Sequence, residues 1–279
     1  MIEIGKKQTL KVCKKVDFGV YLSDGIDNDN RVLLPRKQVP KGIDVGSNIE
    51  VFIYRDSEDR LISTTNTPKL TLGEVAVLRV VKTSRIGAFL DWGLEKDLFL
   101  PFKEQTSKVK EGDEILVTLY VDKSERLAAS MKVYHQLITT DKYAKDDKVT
   151  ARIYEVSERF GAYAAVDDKY SAMIPPTENI RNLRAGDVVE CRVTQVKEDG
   201  KLDLSLREKA YIQMDVDAAK IIELLDIYDG VLPFNDKADP ETIMSETGLS
   251  KNAFKRAVGR LYKERKIIIT TKNIKRSGN

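Results

Sequence analysis

The densest chemistry in this sequence is cationic. Between Gly248 and Asn279 lie ten basic residues, Lys251, Lys255, Arg256, Arg260, Lys263, Arg265, Lys266, Lys272, Lys275 and Arg276, against a single acid, Glu264. That segment carries +9, while the other 247 residues, with 37 bases against 43 acids, carry −6. A basic end on a mildly acidic body is either a local site for a polyanion or a solvated helix face that serves solubility. Groups that could support catalysis are sparse. His135 is the sole histidine, so a His-based metal site or a paired imidazole acid and base has no material. Cys13 and Cys191 lie far apart in apolar, strand-like surroundings and read as two buried thiols, not as a disulfide framework. No Gly-x-x-x-x-Gly-Lys loop is present to cradle a phosphate. The acidic pairs Glu58-Asp59, Asp146-Asp147 and Asp167-Asp168 fall in polar turns and read as solvated. These residues describe a binding protein rather than an enzyme, with no metal and no organic cofactor.

The elements that must position the cations come next. The chain has 279 residues, 33% of them charged and 42% hydrophobic, a soluble globular composition with room for two to four small domains. No apolar run approaches the ~18 residues that span a bilayer, so no membrane partner is expected. Met1 to Gln8 carry charge and no apolar stretch, so no secretory signal is expected. With two isolated thiols, a reducing cytoplasm is the expected location.

Three segments share one order of landmarks. Each opens with an alternating strand, at Leu10 to Val16, Val75 to Val81 and Val149 to Val156. A hydrophobic-Gly step and a second strand follow, from Phe18-Gly19, Ile86-Gly87 and Phe160-Gly161. A third strand ends in proline, at Leu34-Pro35, Leu100-Pro101 and Ile174-Pro175, and eleven residues after each proline stands a glycine, Gly46, Gly112 or Gly186. Two more strands close each copy, ending at Thr64, Ser130 and Ser205. Five short strands per ~60 residues, with Gly and polar turns between, describe a small antiparallel barrel. Such units have thin cores, so neighbouring copies are expected to pack together. The joints fall near Thr67-Pro68 and within Tyr134 to Asp146, where His135-Gln136-Leu137 has the makings of a short helix.

The repeated pattern resembles the S1-type RNA-binding domain, an OB-fold barrel. The third copy carries it most fully, ending Lys197-Glu198-Asp199-Gly200-Lys201-Leu202-Asp203-Leu204-Ser205-Leu206. The first copy matches least, with an insertion around Gly25 to Arg31. The resemblance implies single-strand binding, with bases stacked on rings and phosphates tracked by basic residues. It puts the stacking rings at Phe18 and Tyr21, at Phe89, and at Phe160 and Tyr163, with Ile86 where an aromatic is usual. Residues three apart on a regular strand face opposite sides, so both members of a pair can serve only if the intervening glycine bends the chain; otherwise one is core. The matching basic positions are Arg60, Arg126 and Lys201. Asp56 and Asp122 precede the two arginines by four residues, so a salt bridge across each turn is the competing role. The histidine usual in the family at the end of the third strand is replaced by Leu-Pro or Ile-Pro, which hints that some copies are spacers.

From Met214 the pattern turns helical. An amphipathic helix runs to Tyr228-Asp229-Gly230; Val231 to Phe234 suit a short strand; Asp239-Pro240 starts a second helix that stops at Gly248. Ser250 caps a third helix with an apolar stripe of Phe254, Ala257, Val258, Leu261 and Tyr262. Ile267 to Thr271 reads as a strand. This is the winged helix-turn-helix order. The third helix would expose Lys251, Lys255, Arg256, Arg260 and Lys263; with Asn252 its only amide, that face suits phosphates better than base edges. A protein partner for this helix, or no direct role, stays open beside nucleic-acid contact.

Three S1-type copies followed by Leu232-Pro233-Phe234-Asn235-Asp236-Lys237, Ser250-Lys251-Asn252-Ala253-Phe254-Lys255-Arg256-Ala257 and Gly259-Arg260-Leu261-Tyr262-Lys263-Glu264 resemble the conserved virulence factor B family of Gram-positive bacteria. The fold expected is mainly β and multidomain: three tandem S1-like OB-fold barrels at 1–67, 68–134 and 145–209, then an α+β winged helix-turn-helix domain at 214–279. What the resemblance implies is a protein that binds single-stranded RNA and acts on gene expression after transcription, virulence genes included. A scaffold docking to RNA polymerase, a ribosome or a nuclease is the alternative, and duplex DNA reading by the winged helix a third.

Overall fold

The computed structural model describes residues 2–25, 30–56, 58–207 and 210–277, with side chains of the first helix described from residue 216 onward. The chain forms two compact units, Met1–Leu206 and Arg207–Asn279.

The first unit holds three copies of one five-stranded design. The first comprises β1 (Lys7–Val16), β2 (Gly19–Ser23), β3 (Arg31–Pro35), β4 (Asn48–Arg55) and β5 (Leu61–Thr64), closed in the order β1-β2-β3-β5-β4. The third comprises β11 (Lys148–Ser157), β12 (Gly161–Val166), β13 (Tyr170–Ile174), β14 (Val188–Val196) and β15 (Leu202–Ser205), closed in the same way. The second, β6 (Val75–Thr83), β7 (Gly87–Asp91), β8 (Leu98–Pro101), β9 (Glu114–Val121) and β10 (Leu127–Ser130), has the same order, with β8 and β10 side by side but not in ladder register. Part of the insertion after Gly25 lies outside the described residues.

The shared landmarks have structural causes. A Cβ on Gly19, Gly87 or Gly161 would lie 2.1, 2.3 or 2.2 Å from the carbonyl oxygen of Leu34, Leu100 or Ile174, the residue before each proline. Only glycine lets the two strands close at that point, which couples the hydrophobic-Gly step to the Leu-Pro or Ile-Pro ending. The first strand of each copy carries a bulge at one equivalent place, after Val12, Val80 and Ile153. The carbonyls of those residues accept the amides of Gly46, Gly112 and Gly186, each at 2.8 Å. The fixed spacing from proline to glycine is thus the length of chain that returns to the bulge.

The barrels share core. Phe52 of β4 is buried among the core of the second barrel, edge-on to Trp92 with ring centroids 5.8 Å apart. Leu116 of β9 packs with Tyr154 and Ala165 of the third barrel and with Val133 and Leu137 of the joint. His135-Gln136-Leu137 forms one hydrogen-bonded turn instead of a helix, because buried Val133 and Leu137 fix both its ends. Cys191 is buried but Cys13, beside the bulge of β1, is only half-buried, its thiol donating to the Tyr21 carbonyl at 3.3 Å.

The second unit contains α1 (Ala210–Ile227), β16 (Val231–Leu232), α2 (Pro240–Thr247), α3 (Lys251–Lys263), β17 (Ile267–Ile269) and β18 (Ile274–Arg276), with sheet order β16-β18-β17. The side chains of Asp239 and Ser250 cap α2 and α3, and Gly248, at φ 64°, ends α2 in the left-handed conformation. Phe254, Ala257, Val258 and Leu261 of α3 are buried against Ile221, Leu225 and Leu232. Tyr262 is 56% exposed and does not belong to that stripe; it lies seven residues from Lys255, on the cationic face.

Candidate nucleic-acid interface

Across each barrel one row of side chains points outward, set by strand register. In the first barrel it runs Tyr21, Leu33, Ile62, Tyr54. In the second it begins Phe89 and Phe99, and in the third it runs Tyr163, Met173, Asp203. The residue before the close-packed glycine, Phe18, Ile86 or Phe160, is 58, 65 or 53% exposed. The glycine therefore does bend the chain, at φ 155° for Gly19 and 108° for Gly161.

The bend has different results in the copies. In the first barrel the Phe18 and Tyr21 rings meet edge-on with centroids 6.4 Å apart, and the Arg31 guanidinium lies 4.8 Å from the Tyr21 centroid. Two rings and a cation make a platform on which a base can stack near a phosphate. Arg31 was not singled out from the sequence, although its two-residue spacing from Leu33 places it on that face. In the third barrel Phe160 lies beneath the Arg159 guanidinium at 5.1 Å, whereas the ring contacts of Tyr163 are with buried Tyr154 and with Tyr134, each at 6.2 Å. Tyr163 belongs to the joint with the second barrel, because Tyr154, which burial holds well above the ordinary tyrosine range, has its ring packed there.

The second barrel's row opens into a cleft of about 310 Å³ whose walls include Phe89, Phe99 and Arg126 on one side and Tyr54, Arg55 and Asp59 of the first barrel on the other. Arg126 does not bridge to Asp122. Its guanidinium donates to both carboxylate oxygens of Asp59, at 2.5 Å from Nε, and holds that carboxyl below its ordinary range. Arg55 reciprocates by donating to the Glu125 carbonyl at 3.1 Å and to its carboxylate. The Asp122 carboxylate instead caps its turn, accepting the amides of Ser124 and Arg126 at 2.7 and 3.0 Å. The sequence could not choose between Asp122 and a carboxylate 67 residues away.

The other two motif cations are paired too. Arg60 holds Asp56 through Nε and Nη2 at 2.9 and 2.7 Å, and reaches Glu58 at 2.7 Å. Lys201 pairs with Asp199 at 2.8 Å. The acidic pairs read as solvated are engaged as well: Asp146 with Arg192, Asp167 with Lys142 and Asp168 with Arg152. On α3 the balance differs. Among the described residues Lys251, Lys255, Arg256 and Lys263 have no ion-pair partner, and only Arg260 is paired, with Glu264 at 2.8 Å. The unpaired cations that α3 presents are therefore four, not five.

Among the described residues no group of three or more His, Cys, Asp or Glu is placed to hold a metal ion, and no helix is long and apolar enough to cross a membrane.

Barrel topology, outward rings and the helix order of the second unit define a class: tandem S1-type barrels followed by a winged helix. Family models agree, with an S1 domain matching residues 4–66 and 72–132, the second domain of virulence regulatory factor CvfB matching 135–208, and a CvfB-like winged helix domain matching 219–275. The chain belongs to the conserved virulence factor B family. It is 33% identical over 266 residues to conserved virulence factor B of Staphylococcus epidermidis, covering 91% of this chain and 88% of that one. It is 33% identical over 273 residues to Bacillus subtilis YitL, covering 94% and 90%. A crystal structure of a multidomain protein with nucleic acid binding domains from Streptococcus pneumoniae shares the fold over 98% of both chains, with a TM-score of 0.53 and 23% identity.

Proposed function

We propose that this protein binds single-stranded RNA and acts on gene expression after transcription, with stacking supplied by the barrels and charge by α3. The observation that carries the reading is the division of labour among the side chains. The exposed rings beside the bending glycines, Phe18 and Phe160, sit on the first and third barrels, while the motif cations Arg60, Arg126 and Lys201 are already neutralised by carboxylates. On α3 four cations stand on one helix with no partner among the described residues. Rings that offer a π-face to any base favour a strand whose bases are unstacked, which is the single strand. A helix face of lysines and arginines with one amide, Asn252, suits a phosphate chain of any sequence. The relatives named conserved virulence factor B extend the proposal to virulence genes. Replacement of Phe18 and Tyr21 by alanine tests the stacking half. Each stacked base is worth about 1–3 kcal/mol, so a normally folded variant should bind single-stranded RNA at least several-fold more weakly. Unchanged affinity would remove these rings from the site.

A scaffold role has one observation in its favour. The cleft at the second barrel's outward row is lined by four carboxylates, Asp56, Asp59, Asp97 and Asp122, against three cations, Arg55, Lys96 and Arg126, a net negative lining that disfavours a polyanion. A partner pulled down by the full chain after ribonuclease treatment, and lost on removal of α3 cations, would favour that reading for the winged helix.

A further inference from the structure

We propose that Tyr134, in the segment joining the second barrel to the third, is a base-stacking ring of the third barrel's face. The proposal rests on the reading that the barrels bind single-stranded RNA. It replaces Tyr163, the ring that sequence resemblance assigns to this role.

The geometry builds the site from both ends. Val133 and Leu137 are buried at the joint, and the amides of Gln136 and Leu137 both donate to the Val133 carbonyl, at 3.0 and 3.2 Å. Two buried anchors four residues apart, closed by one turn, turn Tyr134 and His135 outward, and Tyr134 is left 41% exposed. Its ring stands edge-on to Tyr163 at 6.2 Å and to exposed His135 at 5.2 Å. Tyr163 is in turn backed by Tyr154, so the ring that shows to solvent rests on a packed aromatic stack.

The segment is also pinned to the third barrel beyond the turn. Ile138 donates to the Lys169 carbonyl and accepts from the Ser171 amide, at 3.1 and 2.9 Å, and the Thr140 amide donates to the Gly200 carbonyl at 3.0 Å. A Cβ on Gly200 would lie 2.9 Å from Thr139 Cβ. The glycine before Lys201 therefore lets the joint cross the β14–β15 turn, and the crossing brings Lys201 Nζ to 5.6 Å from the Tyr134 centroid. Lys201, which Asp199 holds at 2.8 Å, is thus a paired neighbour that fixes the ring's surroundings, and the base stacks on the ring itself. The ring is ordered in advance, so little freedom is lost on binding.

A covering role for Tyr134 makes a different prediction from a stacking one. Labelled oligouridine is titrated by anisotropy with the full chain and its Tyr134→Ala, Tyr134→Phe and Tyr134→Trp variants, and the tryptophan emission of the last is followed. Trp92 is buried and supplies a constant background. Stacking predicts that Tyr134→Ala weakens binding by about 5- to 150-fold, that the Phe and Trp variants keep near wild-type affinity, and that RNA quenches the Tyr134→Trp emission. A folded Tyr134→Ala chain that binds as the wild type does, or Tyr134→Trp emission indifferent to saturating RNA, overturns the proposal. The emission readout decides even if the alanine variant is poorly folded. A wild-type chain that does not bind oligouridine overturns the underlying reading instead; the two failures are distinguished by the wild-type titration.

Discussion

Changing Lys255, Arg256 and Lys263 together to alanine should flatten the salt dependence of RNA binding, whereas changing Arg60 and Arg126 should not. The structure sets the size of the effect. Four cations on α3 have no carboxylate partner among the described residues, namely these three and Lys251. If each neutralises one phosphate, the log-log slope on a single strand is about −0.7 per contact, or about −2.8 for the four. A fourfold rise in salt then weakens the wild type about 50-fold, and the triple variant, with a slope near −0.7, only about threefold. Arg60 and Arg126 already hold Asp56 and Asp59, so an RNA phosphate would have to displace a carboxylate and little counterion release is available there. Anisotropy titrations across a salt series measure both slopes directly. A triple variant that keeps the wild-type slope, or an Arg60 and Arg126 double variant that loses it, would refute the assignment of the charge to α3.

Acidification gives a second test. Hydrogen bonds from Arg126, Lys69 and Tyr143 hold Asp59, Asp91 and Asp167 respectively below the ordinary carboxylate range. Depressed folded values mean stability that is complete above the ordinary range and lost as pH falls through the folded values, so melting temperature should hold down to about pH 5 and drop below about pH 4; a rise on acidification would contradict this. Two glycine substitutions should move stability in opposite directions. Gly161→Ala drives a Cβ to 2.2 Å from the Ile174 oxygen at φ 108° and should cost about 1–3 kcal/mol or more, while Gly259→Ala in α3 meets nothing within 4 Å and should gain about 1 kcal/mol. Equal effects in denaturant melts would undo the close-approach account of the repeated glycine. Phe52→Ala should cost about 3–5 kcal/mol and shift the emission of Trp92, which its ring touches; an unaltered spectrum would mean that the first two barrels do not share core.

How much of this was legible in the sequence follows from the range of each interaction. The barrel order, the bending glycines and the prolines are local backbone demands repeated three times, and repetition exposes them. The helix caps at Asp239 and Ser250 are equally local, since cap and partner lie three residues apart. The third-helix stripe was legible except for Tyr262, because the polar tip of a tyrosine suits either face of a helix. Partner choice was not legible. Arg126 reads as the partner of Asp122 by spacing, yet docking of two barrels offers it Asp59 in bidentate geometry. Tyr163 matches the stacking position of the family, yet the joint sends Tyr134 across it. Both departures arise where one barrel meets the next, and strand periodicity within a single repeat carries no information about that contact.

The measurement that bears most directly on the central claim is competition for a labelled single-stranded RNA bound to the full chain, with unlabelled single strand and duplex DNA of the same length as competitors at one fixed salt concentration. The account predicts displacement by the single strand at concentrations well below those of the duplex. Equal or better displacement by the duplex, or failure of the labelled strand to bind at all, would contradict it.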